Sequence, residues 1–270
     1  IKKYYNRDSE VLHPFIDVDF WRPTRDKGDY FLIAGRLTPY KDYDKVILAF
    51  NKLGWPLHVI GTGRYEGYLR SIAGPNIIFL GKVDDVSLRH QYSGARGFIY
   101  PQMEDFGLMP LEAAGCGTAA LGLAKGGSLE TIIPGRTGEL IESVNTDSLI
   151  EALKVWDEGK YSTEVLIAHA QKFSKQEFKN KLAELVNKMS PSTNYFAVSN
   201  VFSTLNTKSA IWEAETRQKN IAVDLRSLHS TEFSGVESFA VNVLEELLGE
   251  DHENGYKLFY NGFKLKKFEY

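Results

Sequence analysis

Tyr30-Phe31-Leu32-Ile33-Ala34-Gly35-Arg36-Leu37-Thr38-Pro39-Tyr40-Lys41 opens with a continuous apolar run and breaks at glycine into a polar loop with two cations. A run of this length ending on Gly reads as a strand buried on both faces, since a half-exposed strand would alternate. Downstream, Val46, Ile47, Phe50 and Leu53 recur at helical spacing, so the segment is a strand, a loop and a helix. The unit repeats. Leu57–Ile60 precedes a helix near Tyr65–Ala73, Ile77–Leu80 precedes one near Val86–Ser93, and Gly97–Tyr100 precedes one near Pro110–Gly115. A short strand at Ala119–Leu121 leads to a helix from Ser128, and three helices follow near Asp147–Trp156, Glu164–Phe173 and Gln176–Met189. This grammar predicts an α/β, Rossmann-like parallel sheet with helices on both faces, whose ligands sit beyond the carboxyl ends of the strands.

The chain of 270 residues is long enough for one and a half to two domains. With 43% hydrophobic and 25% charged residues it has the composition of a globular protein. A net charge of -3 argues against a broadly basic nucleic-acid surface, though not against a local basic pocket. The single cysteine, Cys116, excludes an intramolecular disulfide framework and points to a reducing compartment, which predicts a cytoplasmic location. No apolar run approaches the ~20 residues of a membrane helix. Ile1-Lys2-Lys3 carries neither an initiator Met nor a signal-peptide stretch, so the chain reads as cut from something larger.

Residues 1–189 are read as one domain and 190–220, rich in Ser, Thr and Asn, as a linker. Within 221–270, a strand from Ile221, a helix near Phe239–Leu248 and a strand at Tyr256–Tyr260 form one βαβ unit, too small to hold a core alone.

Glu104 and Glu112 flank Phe106-Gly107-Leu108 just after the strand ending at Tyr100, one in the loop and one about a turn into the helix. Backbone N–H groups at the start of that helix suit a phosphate or a polar sugar, and the carboxylates can accept hydrogen bonds from hydroxyls. A capping acid and a solvated helix acid would give the same pattern. Arg36 and Lys41 bracket the first loop, where two cations can neutralise a pyrophosphate or simply lie solvated on a turn.

Gly61-Thr62-Gly63-Arg64-Tyr65-Glu66-Gly67 is near the dinucleotide fingerprint. Its last glycine is one position late and it follows the second strand, which disfavours an NAD-dependent oxidoreductase. Asp17-Val18-Asp19 has the spacing of a metal-binding pair but precedes the first strand, where capping or linker salt bridges are expected instead. The six histidines show no metal-ligand spacing and no metal is assigned. His58, within a strand, is read as structural; His13, beside Pro14, as lining a cleft; Cys116 as a small buried hydrophobe.

In this order, Gly35-Arg36…Lys41, Glu104 to Glu112 around Phe-Gly-Leu, and Gly126-Gly127…Glu130 resemble the GT4 family of retaining glycosyltransferases. Pro14-Phe15-Ile16-Asp17-Val18-Asp19-Phe20 and Gly81-Lys82-Val83 extend the resemblance over about residues 12–188. It implies the GT-B architecture, two Rossmann-like domains facing across a cleft, of which this chain carries the C-terminal, donor-binding one. It further implies catalytic roles for Arg36 and Lys41 at the diphosphate and for Glu104 at the transferred sugar. Glu112 would hold the ribose; the backbones of Phe106, Gly107 and Leu108 the sugar or phosphate; the backbones of Lys82 and Val83 the base; and Gly35 would belong to the donor-binding set.

The reaction so implied moves a hexose with retention to a glycan or lipid-linked acceptor, with no cofactor and no obligatory metal. Glu104-Asp105-Phe106-Gly107 is similar to a mannosyltransferase-like branch that would use GDP-mannose, while Asp105 leaves a UDP-sugar open. Polysaccharide or lipopolysaccharide assembly at the inner face of a membrane is the implied setting. Ile221-Ala222-Val223-Asp224-Leu225-Arg226 and Ser234-Gly235-Val236 resemble the opening of the family's acceptor domain, as if a second transferase began there. Without an acceptor domain before residue 12, the fragment would be weakly active or inactive by itself. A catalytically silent nucleotide-binding domain is the reading from another class.

Overall fold

A computed structural model describes residues 6 and 9–189, together with the strands Asn220–Asp224 and Gly255–Phe259. The chain separates into two compact units, 1–199 and 200–270.

The first unit is built on six parallel strands: β1 (Phe31–Ala34), β2 (Leu57–Ile60), β3 (Ile77–Gly81), β4 (Gly97–Tyr100), β5 (Ala120–Leu123) and β6 (Gly138–Ile141). Their order is β3-β2-β1-β4-β5-β6, with Phe31 of β1 registered between Leu57 of β2 and Gly97 of β4. Connections run outward in one direction from β1 to β3, then jump back and run the other way from β4 to β6. Right-handed crossovers therefore place helices on opposite faces. Burial follows: Phe31, Leu32 and Ile33 are fully buried, as are Leu57, Val59 and Phe98. Each such side chain contributes about 1.5–3 kcal/mol of apolar burial.

The helices are α1 (Tyr43–Leu53), α2 (Glu66–Ile72), α3 (Asp85–Gly94), α4 (Leu108–Gly115), α5 (Ser128–Thr131), α6 (Thr146–Lys154), α7 (Thr163–Gln171) and α8 (Lys175–Met189). In α1 the buried face is Tyr43, Val46, Ile47 and Phe50, at the spacing that marks one side of a helix. α6 starts with a capping box in which Asn145 accepts from the Ser148 N–H and the Ser148 hydroxyl accepts from the Asn145 N–H. Helix α4 packs on α7, and the segment before the sheet closes on the turn after α7 through Ile16 N–H to the Phe173 carbonyl, 2.9 Å.

The predicted strands and helices of this unit are present, with boundaries shifted by a few residues. One strand is additional: β6, Gly138–Ile141, lies at the sheet edge and carries Glu139, so it lacks the apolar run that marks the others.

In the second unit, Asn220–Asp224 (β7) and Gly255–Phe259 (β8) pair in parallel, Asn220 opposite Gly255. The expected linker up to residue 219 and the helix at 239–248 lie outside the described residues. Among the described residues no helix is long and apolar enough to cross a membrane.

Candidate functional site

The strand order reverses between β1 and β4, so their carboxyl-end loops diverge and leave a crevice. The cations come from one loop and the acids from the other. After β1 the chain makes a single 3-10 turn at Pro39–Lys41, with Pro39 supplying the fixed φ that starts it. That turn swings Lys41 back under the loop, where it is 8% exposed, and its Nζ lies 3.1 Å from Glu104 Oε1. Arg36, on the same loop, is exposed. Tyr40 is also exposed, its ring centroid 5.8 Å from the Lys41 ammonium.

After β4 the loop carries Glu104, exposed Asp105 and part-buried Phe106, then enters α4 through Gly107. Gly107 has φ 85°, a conformation that puts a side chain under strain, and it rests on the Tyr100 hydroxyl. Because the cap residue is glycine without a capping side chain, the first N–H groups of α4 remain available to an anion. Met109 abuts the first loop, its Sδ 3.8 Å from where a Gly35 Cβ would stand. The start of α4, Gly35, Lys41 and Glu104 therefore share one place.

The loop is clamped from behind. Gly127 N–H donates to the Glu104 carbonyl, 2.9 Å, and a Cβ on Gly127 would overlap the Phe106 backbone. Gly126-Gly127 thus acts by letting two backbones meet. Glu130, three residues on, accepts a 2.6 Å hydrogen bond from His13, whose ring stacks on Phe106 at 5.1 Å between centroids. His13 thus packs on this loop through Phe106 and Glu130.

Glu112, on α4, faces the buried Tyr92 hydroxyl of α3, which donates to its Oε2 at 3.4 Å. Burial first, then the nearby Asp85 carboxylate, pushes the Glu112 carboxyl up to about 7, against the opposing hydrogen bond from Tyr92. Lys82 is exposed and Val83 partly buried at the carboxyl end of β3, one strand beyond β2 and away from the Lys41–Glu104 pair.

The remaining candidates resolve simply. Asp17 Oδ1 accepts from the N–H groups of Asp19 and Phe20, capping a turn. His58 stacks on Tyr30 at 3.9 Å and hydrogen-bonds Gln91 at 2.9 Å, a structural role. Cys116 is 1% exposed and its thiol is pushed up to about 12 by burial. In Gly61-Thr62-Gly63 a Cβ on Gly61 would overlap the Gly35 carbonyl, so that glycine seats the β2 loop against the β1 loop. Sequence reasoning missed Tyr92, which lies in the polar stretch Gln91-Tyr92-Ser93, where spacing carries no signal of its contact with Glu112.

Fold and site together define the class: this is a Rossmann-like domain of the kind found in GT-B glycosyltransferases. The family model described as "Glycosyl transferases group 1" matches residues 17–180, and the chain belongs to that family, GT4. It is 31% identical over 134 residues to a GDP-mannose-dependent monoacylated alpha-(1-6)-phosphatidylinositol monomannoside mannosyltransferase of Corynebacterium glutamicum, covering 44% of this chain and 35% of that protein. It is 32% identical over 126 residues to the glycogen synthase of Thermus thermophilus, covering 43% of this chain and 29% of that one. Among solved structures it is similar to the sucrose-phosphate synthase of Thermosynechococcus elongatus, with TM-score 0.60 and 20% identity over 68% of this chain and 53% of the other. It is also similar to Anabaena HepE in complex with UDP, with TM-score 0.58 and 16% identity over 66% and 57%. The chain spans between about a third and a half of the length of the first curated relatives it matches.

Proposed function

We propose that this chain is the donor-binding half of a retaining glycosyltransferase that moves mannose from GDP-mannose to a glycan or lipid-linked acceptor. The observation that carries the reading is the convergence, at the β1/β4 crevice, of a buried cation, an acid and free helix N–H groups. On this reading Lys41 and Arg36 stabilise the charge that develops on the departing diphosphate, which is electrostatic catalysis of a leaving group. Glu104 accepts from the hydroxyls of the sugar, Glu112 from those of the ribose, and the backbone of Phe106, Gly107 and Leu108 meets phosphate or sugar oxygens. Gly35 belongs to the donor-binding set, and the backbones of Lys82 and Val83 would contact the base. No cofactor is required by these roles. Two mannosyltransferases named as GDP-mannose-dependent stand among the relatives and favour that donor.

The second reading, a UDP-sugar donor, is favoured by the likeness to HepE, which was solved with UDP and with UDP-glucose. In both readings the facing acceptor domain supplies the second substrate, and residues 221–270 begin another transferase module after the linker 190–220. Assembly of polysaccharide or lipopolysaccharide at the cytoplasmic face of a membrane is the setting proposed.

Isothermal titration of this chain with GDP, GDP-mannose, UDP and UDP-glucose tests the reading. Micromolar binding of the guanine ligands supports it, and a uridine preference replaces the donor while keeping the class. Binding without release of nucleoside diphosphate, when the facing domain is supplied in trans with an acceptor, would leave a silent binding module.

A further inference from the structure

The segment that enters the sheet is stitched to the turn after α7, where Ile16 N–H donates to the Phe173 carbonyl at 2.9 Å and Ile16 bridges Ser174 in parallel. From that seam His13 reaches the loop after β4. Its ring lies nearly parallel to that of Phe106, centroids 5.1 Å apart and planes at 21°, and meets Phe173 edge-on at 5.9 Å. Phe106 and Phe173 are themselves 5.7 Å apart, so the three rings form one cluster. The imidazole is also held at its far end: His13 Nε2 lies 2.6 Å from Glu130 Oε2, and since an ionised carboxylate only accepts, that nitrogen carries the hydrogen.

Glu130 is a fixed anchor. It lies on α5, and the carbonyl of the next residue, Thr131, is 2.9 Å from Nε2 of His169, which is buried on α7 and meets Phe173 edge-on at 5.4 Å. The His13 and Glu130 side chains are 32% and 45% exposed, and an ion pair so open to water adds little to stability. What the pair does is aim the imidazole at Phe106. On the other side, a Cβ on Gly127 would overlap the Phe106 backbone. Main chain and side chain of Phe106 are thus held by different elements, the backbone by Gly127 and the ring by the segment ahead of β1.

We propose that His13 is a positioning residue of the donor site: anchored by Glu130, its ring seats Phe106 and so orients the loop whose backbone meets the phosphate or sugar oxygens. The inference rests on the donor reading above. It makes the entering segment part of donor binding although that segment supplies no group that touches the donor, and it gives Glu130 a role as the anchor of His13.

The test replaces His13 by Gln, which keeps a donor for Glu130 but no ring, and by Tyr, which keeps a ring, and measures GDP-mannose binding and thermal unfolding. For His13→Gln the expected result is a melting temperature close to native and GDP-mannose affinity weakened about three- to tenfold, the worth of one aromatic pair. His13→Tyr should bring affinity back to within about twofold of native. In a Phe106→Leu background His13→Gln should cost nothing further, because two residues that act through one contact are not additive. Glu130→Ala, which frees the imidazole without removing it, should lose part of the same affinity. Native affinity in His13→Gln or in Glu130→Ala, no recovery in His13→Tyr, or an equal further loss in the Phe106→Leu background would overturn the proposal. If native protein prefers uridine ligands, the same variants are read with UDP-glucose. If native protein binds no nucleotide sugar at all, the donor reading itself fails and takes this inference with it; native binding with unaffected variants removes the inference alone.

Discussion

Lys41 and Glu104, brought from two loops that neighbour each other only in the sheet, form an ion pair at 3.1 Å in which the lysine is the more deeply buried partner. An anion approaching Lys41 therefore meets a cation already half neutralised. Its attraction is the difference between what the diphosphate offers and what Glu104 gives up.

Removing the acid should sharpen that attraction. Glu104→Gln is expected to leave GDP affinity equal to native or a few-fold tighter, while GDP-mannose loses the acceptor for its hydroxyls and binds about tenfold more weakly. Lys41→Ala should weaken both ligands and leave a carboxylate unpaired. Titration calorimetry reads both variants, and equal losses for GDP and GDP-mannose in Glu104→Gln would contradict the division of roles.

A second expectation concerns pH. Because the folded-state pKa of Glu112 is raised to about 7, the native protein holds a proton there that the unfolded chain has already lost. Stability contributed by this site is thus full below the unfolded value and declines as pH rises toward 7. Nucleotide binding runs the other way, since ribose hydroxyls are accepted best by the ionised carboxylate. GDP affinity should climb about tenfold between pH 6 and pH 8 and then level. Glu112→Gln should flatten both profiles and weaken GDP at pH 8.

Two glycines make a paired test of the loop clamp. Gly127→Ala would drive a methyl into the Phe106 backbone, so unfolding should shift by about 1–3 kcal/mol and the nucleotide-sugar affinity fall with it. Gly67, inside α2 and with nothing within 4 Å of its would-be Cβ, should respond oppositely. Gly67→Ala is expected to stabilise by about 0.5–1 kcal/mol and leave binding untouched.

Cys116 offers a reporter of integrity. Buried and with its thiol pushed up to about 12, it should be silent toward a thiol reagent at pH 8 in native protein and react at the rate of global unfolding in mild denaturant. Prompt labelling under native conditions would place it elsewhere.

The sheet was legible because strands buried on both faces, such as Phe31–Ala34 and Gly97–Tyr100, must be apolar throughout. β6 was not, since an edge strand with Glu139 owes its place to pairing with β5 rather than to its own pattern. Glu104, Glu112, Arg36 and Lys41 could be picked out individually, from loop position and residue type. That Lys41 should meet Glu104, and that Tyr92 should stand behind Glu112, follows from strand order and helix packing, which no local spacing encodes.

All the ladders of the six-stranded sheet are parallel, so no two neighbouring strands are joined by a tight turn. β1 reaches β4 only after two intervening strands and three helices have been laid down. No hairpin can form early and serve as a seed, which makes assembly dependent on distant contacts and correspondingly slow. The crevice then comes into being with the last steps of collapse: a nascent or partly unfolded chain offers the loops without the geometry, and ligand capture becomes a report on completed folding.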